Sequence, residues 1–431
     1  MKKLDDLRSR VRGQVLLDGD DGFEQARQPW NRAIDQPVAA VVAAADAADV
    51  AALVRYARDR GLPVSAQPTG HGASGGLDGV ILLRTARLDE VTVDAAARTA
   101  RVGAGVLWGR VQAAAAPYGL TGLPGSSPVV GVVGYTLGGG LGWFARRYGW
   151  AADSVTAFDV VDADGGQSRV TAGSDPDLFW ALRGGGGGFA LVTAIEFGLH
   201  PAPALYGGRV VWPAGQASAV LDAFRQITAD APDELTVWAD LLQFPGAPPM
   251  VGIDATYLGD AAEGAALLKP LDRIEGPISD TRAPMPLTDL GSITAEPTDP
   301  SPGIARGELL TALDDAAVRV LLADPVDPLI SVQIRHLGGA LTRPSDSPHG
   351  PLSEPYGLNL YGRPSEAVRA RQHDLVHALK AYVRGRKPYT TLAPGETVAA
   401  AFTPQTLARL QDIKRRHDPG NLIRANFPVS P

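Results

Sequence analysis

Two stretches of this chain hold so much glycine that the backbone must there run against itself or against a ligand. The first is Pro68-Thr69-Gly70-His71-Gly72-Ala73-Ser74-Gly75-Gly76. The second spans 124–142 and ends Gly131-Val132-Val133-Gly134-Tyr135-Thr136-Leu137-Gly138-Gly139-Gly140-Leu141-Gly142. Each offers many backbone N–H groups with no Cβ in the way, beside small hydroxyl side chains. That combination suits a diphosphate, which needs several fixed donors and no bulky neighbours. Neither stretch is a Walker loop, because no Gly-Lys-Ser/Thr follows.

Composition narrows the rest. The chain has 431 residues, a net charge of −7 and no cysteine. The absence of cysteine excludes disulfides, cysteinyl iron–sulfur clusters, thiolate zinc sites and a cysteine nucleophile. The acidic balance disfavours a general nucleic-acid binder. The alanine-rich stretch 38–54 carries Asp46 and Asp49, so no membrane span is expected. The first residues lack the apolar run of a signal peptide, which makes the cytoplasm the expected location.

Glycines cluster between 70 and 188 and prolines after 201, which places a change of character near 200–203. Before it, apolar spacing and Gly61 predict a helix over 46–60, and serine at 174 is the expected N-cap of another. Short strands are predicted at 62–67, 80–83, 91–93, 99–102 and 191–199. A hairpin is expected around Asp164-Gly165-Gly166. The pattern reads as α+β rather than regular βαβ units. Beyond it, runs at 209–212, 235–242, 251–257, 330–337 and 358–361 predict an antiparallel sheet. Helices over 217–227, 261–268 and 367–383 would cover one face, and 403–416 reads as a C-terminal helix.

Three motif look-alikes fail on context. Gly103-Ala104-Gly105-Val106-Leu107-Trp108 lacks the third glycine of a dinucleotide fingerprint and reads as a strand-to-helix turn. Gly72-Ala73-Ser74-Gly75-Gly76 fits a hydrolase elbow only if a helix follows, and a strand is predicted there. His373 and His377 lie four apart on a helix, but with Asp374 at the base position they read as a solvated face, and no metal site is expected.

Taken in order, further motifs make the chain resemble the FAD-linked oxidases of the vanillyl-alcohol-oxidase/PCMH type, in the berberine-bridge-enzyme-like branch. They are Gln28-Pro29-Trp30-Asn31, Thr69-Gly70-His71-Gly72, the second glycine stretch, Leu178-Phe179-Trp180-Ala181-Leu182-Arg183 with the run Gly184–Gly188, Leu337-Gly338-Gly339, and Asp418-Pro419-Gly420-Asn421-Leu422. The resemblance implies a PCMH-type FAD-binding domain over 1–203, completed by 389–431. A substrate-binding domain with an antiparallel sheet covered by helices would fill 204–388. It implies covalent FAD on His71, with Thr69, Gly70, Gly72, Ala73, Ser127, Gly131, Gly134, Tyr135, Gly138, Gly139, Gly140, Gly142, Val192 and Asn426 around the cofactor.

Ser127 stands where many relatives have a cysteine, so the covalent link can run through His71 only. Tyr135 stands where many have a histidine beside the flavin. Gly188 replaces a common asparagine, and Tyr389-Thr390-Thr391 lacks another. The implied reaction takes a hydride from an alcohol, amine or sugar-like hydroxyl of a small molecule, with O2 restoring the flavin and yielding H2O2. Tyr361, Tyr389 and His336 are the candidate bases, with Asn359, Gln333 and Arg335 orienting. Oxidative cyclisation, oxygenation or a flavin-binding protein without turnover are the alternatives. Oligomeric state is not readable from the residues.

Overall fold

The computed structural model describes residues 4–429. Three sheets organise it. The first has four strands in the order Gln14–Leu17, Ala40–Ala43, Ile81–Arg84, Val64–Ala66. Its outer pair is antiparallel, but Ile81–Arg84 runs parallel to both neighbours. One βαβ unit thus sits within an α+β pattern that has no regular βαβ repeat. Ala40–Ala43, helix Ala47–Arg60 and Val64–Ala66 form this unit, with a later strand inserted between the two. The helix starts where Asp46 accepts from the Asp49 amide and stops at left-handed Gly61.

The second sheet is antiparallel, in the order Val91–Asp94, Thr99–Gly103, Leu191–Gly198, Val155–Val161, Gln167–Val170. The 164–166 hairpin joins its last two strands in the order of the chain. Helix Pro176–Leu182 begins one residue later than expected. Asp175, not Ser174, caps it by accepting from Leu178 N, while Ser174 folds back onto Thr171 and Arg169.

The third sheet holds eight antiparallel strands. Its main path is Ser279–Asp280, Tyr206–Pro213, Met250–Tyr257, Leu235–Leu242, Ser331–His336, Tyr356–Gly362, Ile304–Leu310. Sequence reading missed Ile304–Leu310, because Arg306, Gly307 and Glu308 interrupt its apolar alternation. Helices Ala217–Ala229, Asp315–Leu322 and Glu366–Ala378 cover one face, against Val237, Ala239, Ile253, Val332, Ile334, Leu358 and Leu360. Alternation then turns Trp238, Asp240, Asp254, Gln333, Arg335, Asn359 and Tyr361 to the other face.

Arg146, just after the second glycine stretch, ties that stretch to the third sheet. Its buried guanidinium donates to the carbonyls of Leu235 (2.8 Å), Ala231 (3.0 Å), Pro232 (3.2 Å) and Leu337, and to His336 Nε2 (3.1 Å). Arg146→Met would leave these buried acceptors unpaired, each worth about 1–3 kcal/mol. We expect it to lose at least ~2 kcal/mol of stability, read as a fall in denaturant midpoint at unchanged m-value.

Candidate functional site

The first glycine stretch follows strand Val64–Ala66 as an irregular loop. Gly70 sits at φ +86°, and a Cβ there would lie 2.6 Å from the Pro29 side chain. Trp30 N donates to Thr69 O (2.8 Å), which fixes the indole against the loop. The His71 ring stacks on it at 4.3 Å and 18°. Thr69 Oγ1 lies 2.8 Å from His71 Nδ1. Burial pulls the imidazole pKa down to about 4, so the ring is neutral at pH 7. In the tautomer that donates Nδ1–H to Thr69, Nε2 carries the free lone pair; in either tautomer Nε2 is enclosed and has no partner among the described residues.

The second stretch meets the first. A Cβ on Gly131 would come 3.2 Å from Pro68 and 3.8 Å from Thr69 side-chain atoms. Helix Val132–Leu137 then turns through Gly139 (φ +100°) and Gly140 (φ +76°). Gly142 has no room for a side chain, since its Cβ would lie 1.9 Å from Pro124 O. Gly134 is different, with nothing within 4 Å of that point. The Gly72 position is almost as open, its nearest neighbour being Asn426 at 4.0 Å. Ala73 is buried, Ser74 Oγ donates to Asn426 O, and the C-terminal tail thereby closes over the first loop.

Around this cleft several buried polar atoms have no partner among the described residues: His71 Nε2, Ser127 Oγ, Tyr135 Oη and Thr136 Oγ1. Buried polar atoms are seldom left unsatisfied. An open floor at Gly72 and Gly134, ringed by orphaned donors and acceptors, fits a polar, phosphate-bearing cofactor. Val192 lies in strand Leu191–Gly198, buried in the core beneath the second loop.

The candidate bases are not brought together. His336 has the parity of Val332 and Ile334, so it points to the helix-covered face, near Tyr356. Burial and the Arg146 charge hold its pKa down to about 3. That placement takes it away from the cleft. Tyr389 is fully enclosed. Its ring packs between Phe402 and Phe427, and its hydroxyl donates to Phe427 O (3.3 Å). It buttresses the glycines from beneath, where a Cβ on Gly186 would come 2.6 Å from its oxygen. Tyr361 alone faces the cleft. Its hydroxyl borders Gly303, whose amide donates to Asn31 Oδ1 (3.2 Å), next to Trp30. Burial raises its pKa, so it is a neutral phenol at pH 7.

Sequence reading missed the acids on this wall. Asp254 is wholly buried and held by Arg209 through Nε and Nη2 (2.5 and 2.7 Å). Asp240 is held by neutral donors, Ser331 Oγ at 2.6 Å and Gln333 Nε2 at 3.3 Å, with Arg209 farther away at 3.6 Å. Burial and the Asp254 charge push its pKa up to about 7. An apolar-rich strand, LTVWADLL, gave one hint, an aspartate at inward parity. His349 was also missed. It stacks on Trp150 at 4.5 Å and fills the space behind Gly139 and Gly184. Its loop has no pattern that foretells this.

Trp143, one residue past the second glycine stretch, stacks on Trp238 of the sheet at 3.7 Å and 11°. This contact sets the polar wall opposite the glycine loops. His373 and His377 lie on the exposed side of their helix, and no metal-binding group of three is found among the described residues. Nor is any described helix long and apolar enough to cross a membrane.

An open, glycine-lined cleft of this kind has room for a flavin cofactor, and comparison with known proteins supplies the class. Residues 38–171 match the family described as FAD binding domain. Over 98% of this chain and 97% of the other, the sequence is 28% identical to (R)-6-hydroxynicotine oxidase of Paenarthrobacter nicotinovorans. The fold superposes on berberine-bridge-enzyme-like protein 1 of Physcomitrella patens with a TM-score of 0.86 at 20% identity, covering 100% of both chains. On xylooligosaccharide oxidase of Myceliophthora thermophila it gives 0.85 at 22%, covering 99% of this chain and 98% of that one. The chain is an FAD-linked oxidoreductase with the fold of the berberine-bridge-enzyme-like proteins.

Asp240 has a testable signature. Its folded pKa lies above the ordinary aspartate value of about 3.9, so the folded state holds the proton more tightly than the unfolded one. Stability should therefore fall as pH rises from about 4 to about 7, by at most ~1.4 kcal/mol per pH unit. Asp240→Asn should flatten that limb of the stability–pH curve.

Proposed function

We propose that the protein is an oxidase in which FAD, covalently held by His71 alone, oxidises an alcohol, amine or sugar-like hydroxyl of a small molecule, with O2 as final acceptor. The observation that carries this reading is His71 itself: a neutral, half-buried imidazole whose enclosed Nε2 has no partner among the described residues, between glycine loops that leave room for a cofactor. FAD supplies the acceptor for two electrons. Thr69, Gly70, Gly72, Ala73, Gly131, Gly134, Gly138, Gly139, Gly140 and Gly142 would hold it, with Ser127, Tyr135, Val192 and Asn426 beside it. The absence of any cysteine leaves the histidine as the one tether the resemblance allows.

The protein's own part is binding, orientation and proton handling. The wall of Asp240, Gln333, Arg335, Asn359 and Tyr361 supplies hydrogen-bond donors and acceptors for a polar substrate. Among them, Tyr361 is the proposed hydrogen-bonding partner of the substrate O–H or N–H. As a neutral phenol it can take that proton only while passing its own onward. Relatives acting on quite different molecules, hydroxynicotine and xylooligosaccharides by name, share the fold, so the fold does not select the substrate.

Acid precipitation tests the tether. Yellow colour and flavin mass should stay with the peptide containing His71, and His71→Ala should release them into the supernatant. Release from the wild type would refute the covalent link. Tyr361→Phe should lower kcat/KM by about 10²–10⁴-fold if its hydroxyl handles the proton, with peroxide formation measured over a panel of alcohols, amines and oligosaccharides. A change below threefold would remove Tyr361 from the chemistry.

A further inference from the structure

On the wall facing the glycine loops, one cation stands apart. Arg209 is matched to Asp254. Arg335 has no carboxylate within salt-bridge distance among the described residues. Its one hydrogen bond runs from Nε to Gln333 Oε1 (2.6 Å), and Gln333 is in turn anchored on Asp240. The guanidinium lies 4.2 Å over the ring of Trp238, itself stacked on Trp143. Its place is thus set by a stack of two indoles and a relay of one amide, while both terminal amino groups have no hydrogen-bond partner among the described residues.

Strand parity turns Arg335 away from the helix face of Val332 and Ile334, and the Trp238–Trp143 stack seats it beside the end of the second glycine stretch. Arg335 and Tyr135 of the second glycine stretch act on each other electrostatically, and Tyr135 Oη is one of the orphaned atoms of the cleft. The other charges it feels are Glu296, Asp240 and Asp254. Glu296 is exposed, and the two aspartates are engaged by Ser331, Gln333 and Arg209. Arg335 is half-buried, and a cation drawn partly out of water is costly unless something negative meets it. A guanidinium fixed in place, with free N–H groups toward the cofactor cleft, is an anion receptor built before its anion arrives.

We propose that Arg335 is the fixed positive charge that stabilises the reduced cofactor and so raises its oxidising power. The charge balance fits. Two electrons and one proton taken from the substrate leave the isoalloxazine with one net negative charge, while the second substrate proton goes to the protein or solvent. This arginine, on the wall opposite the glycine loops, provides the cation. The inference rests on FAD occupying the glycine cleft, and its test separates the two.

The test uses the flavin-loaded protein and needs no substrate. Midpoint potential is measured by slow reduction against a reference dye, and affinity for sulfite, an anion that adds to oxidised flavin, by titration. Arg335→Gln should weaken sulfite binding at least tenfold and lower the two-electron midpoint by at least about 30 mV, the equivalent of tenfold. Flavin content should stay the same. Arg335→Lys should retain most of both. If R335Q does not fold, R335M, which keeps the stem on Trp238, replaces it. Unchanged potential and sulfite affinity in a flavin-loaded neutral variant overturn the proposal. So does an equal loss in R335K, which would assign the effect to packing. A loss confined to benzoate binding also overturns it, since Arg335 would then be a receptor for a carboxylate ligand. A wild-type protein that takes up no FAD sinks the reading beneath it instead.

Discussion

The structure depends on two backbone segments coming closer than side chains permit. Gly131 lies against Pro68 and Thr69, Gly142 against the Pro124 carbonyl, and Gly70 against Pro29. A methyl group at Gly70 or Gly142 would fall inside van der Waals contact, so the loops could not close as they do. Their closure brings His71, Tyr135 and Ser127 around one cleft. It also leaves the floor at Gly134 and Gly72 open. Aromatic rings then brace the arrangement from behind: Trp30 under His71, Tyr389 under Gly186, and the His349–Trp150 pair behind Gly139 and Gly184.

The second determinant is the period of a β-strand. In the third sheet each strand places apolar residues toward the helices and polar ones toward the cleft. One residue of difference separates His336, turned into the helix layer and bound to Arg146, from Arg335, turned to the cleft. The polar face concentrates two arginines and two aspartates where water is largely excluded. Their matching is uneven: Arg209 with Asp254 is a close ion pair, while Asp240 and Arg335 are linked only through Gln333. This unevenness makes one acid basic for its kind and leaves one cation free for the site.

Much of the scaffold could be read without coordinates because its signals are local. The 47–60 helix is announced by Asp46 and Gly61, and the 164–166 hairpin by its turn residues. The strands from 206 onward show in their alternation. Strand Ile304–Leu310 could not be read, because charged residues and a glycine interrupt that alternation and only its neighbour Tyr356–Gly362 keeps it extended. The short parallel unit escaped notice for a similar reason. Parallel pairing across Ile81–Arg84 is a property of three separated segments, not of any one of them.

What the sequence determined was the pair of glycine loops: glycines where no side chain fits, a histidine among them, and no cysteine anywhere. Those traits are local, since a missing Cβ or a missing thiol acts wherever the chain goes. Which polar groups share the cleft was decided only by tertiary structure. Tyr361, Tyr389 and His336 look equally eligible along the chain, yet strand parity, burial under an aromatic cluster and the reach of Arg146 send them to three different places. Asp240 and Arg335 acquire their character from Asp254, Gln333 and Trp238, which lie on neighbouring strands or across the register, and no reading confined to adjacent residues contains that arrangement.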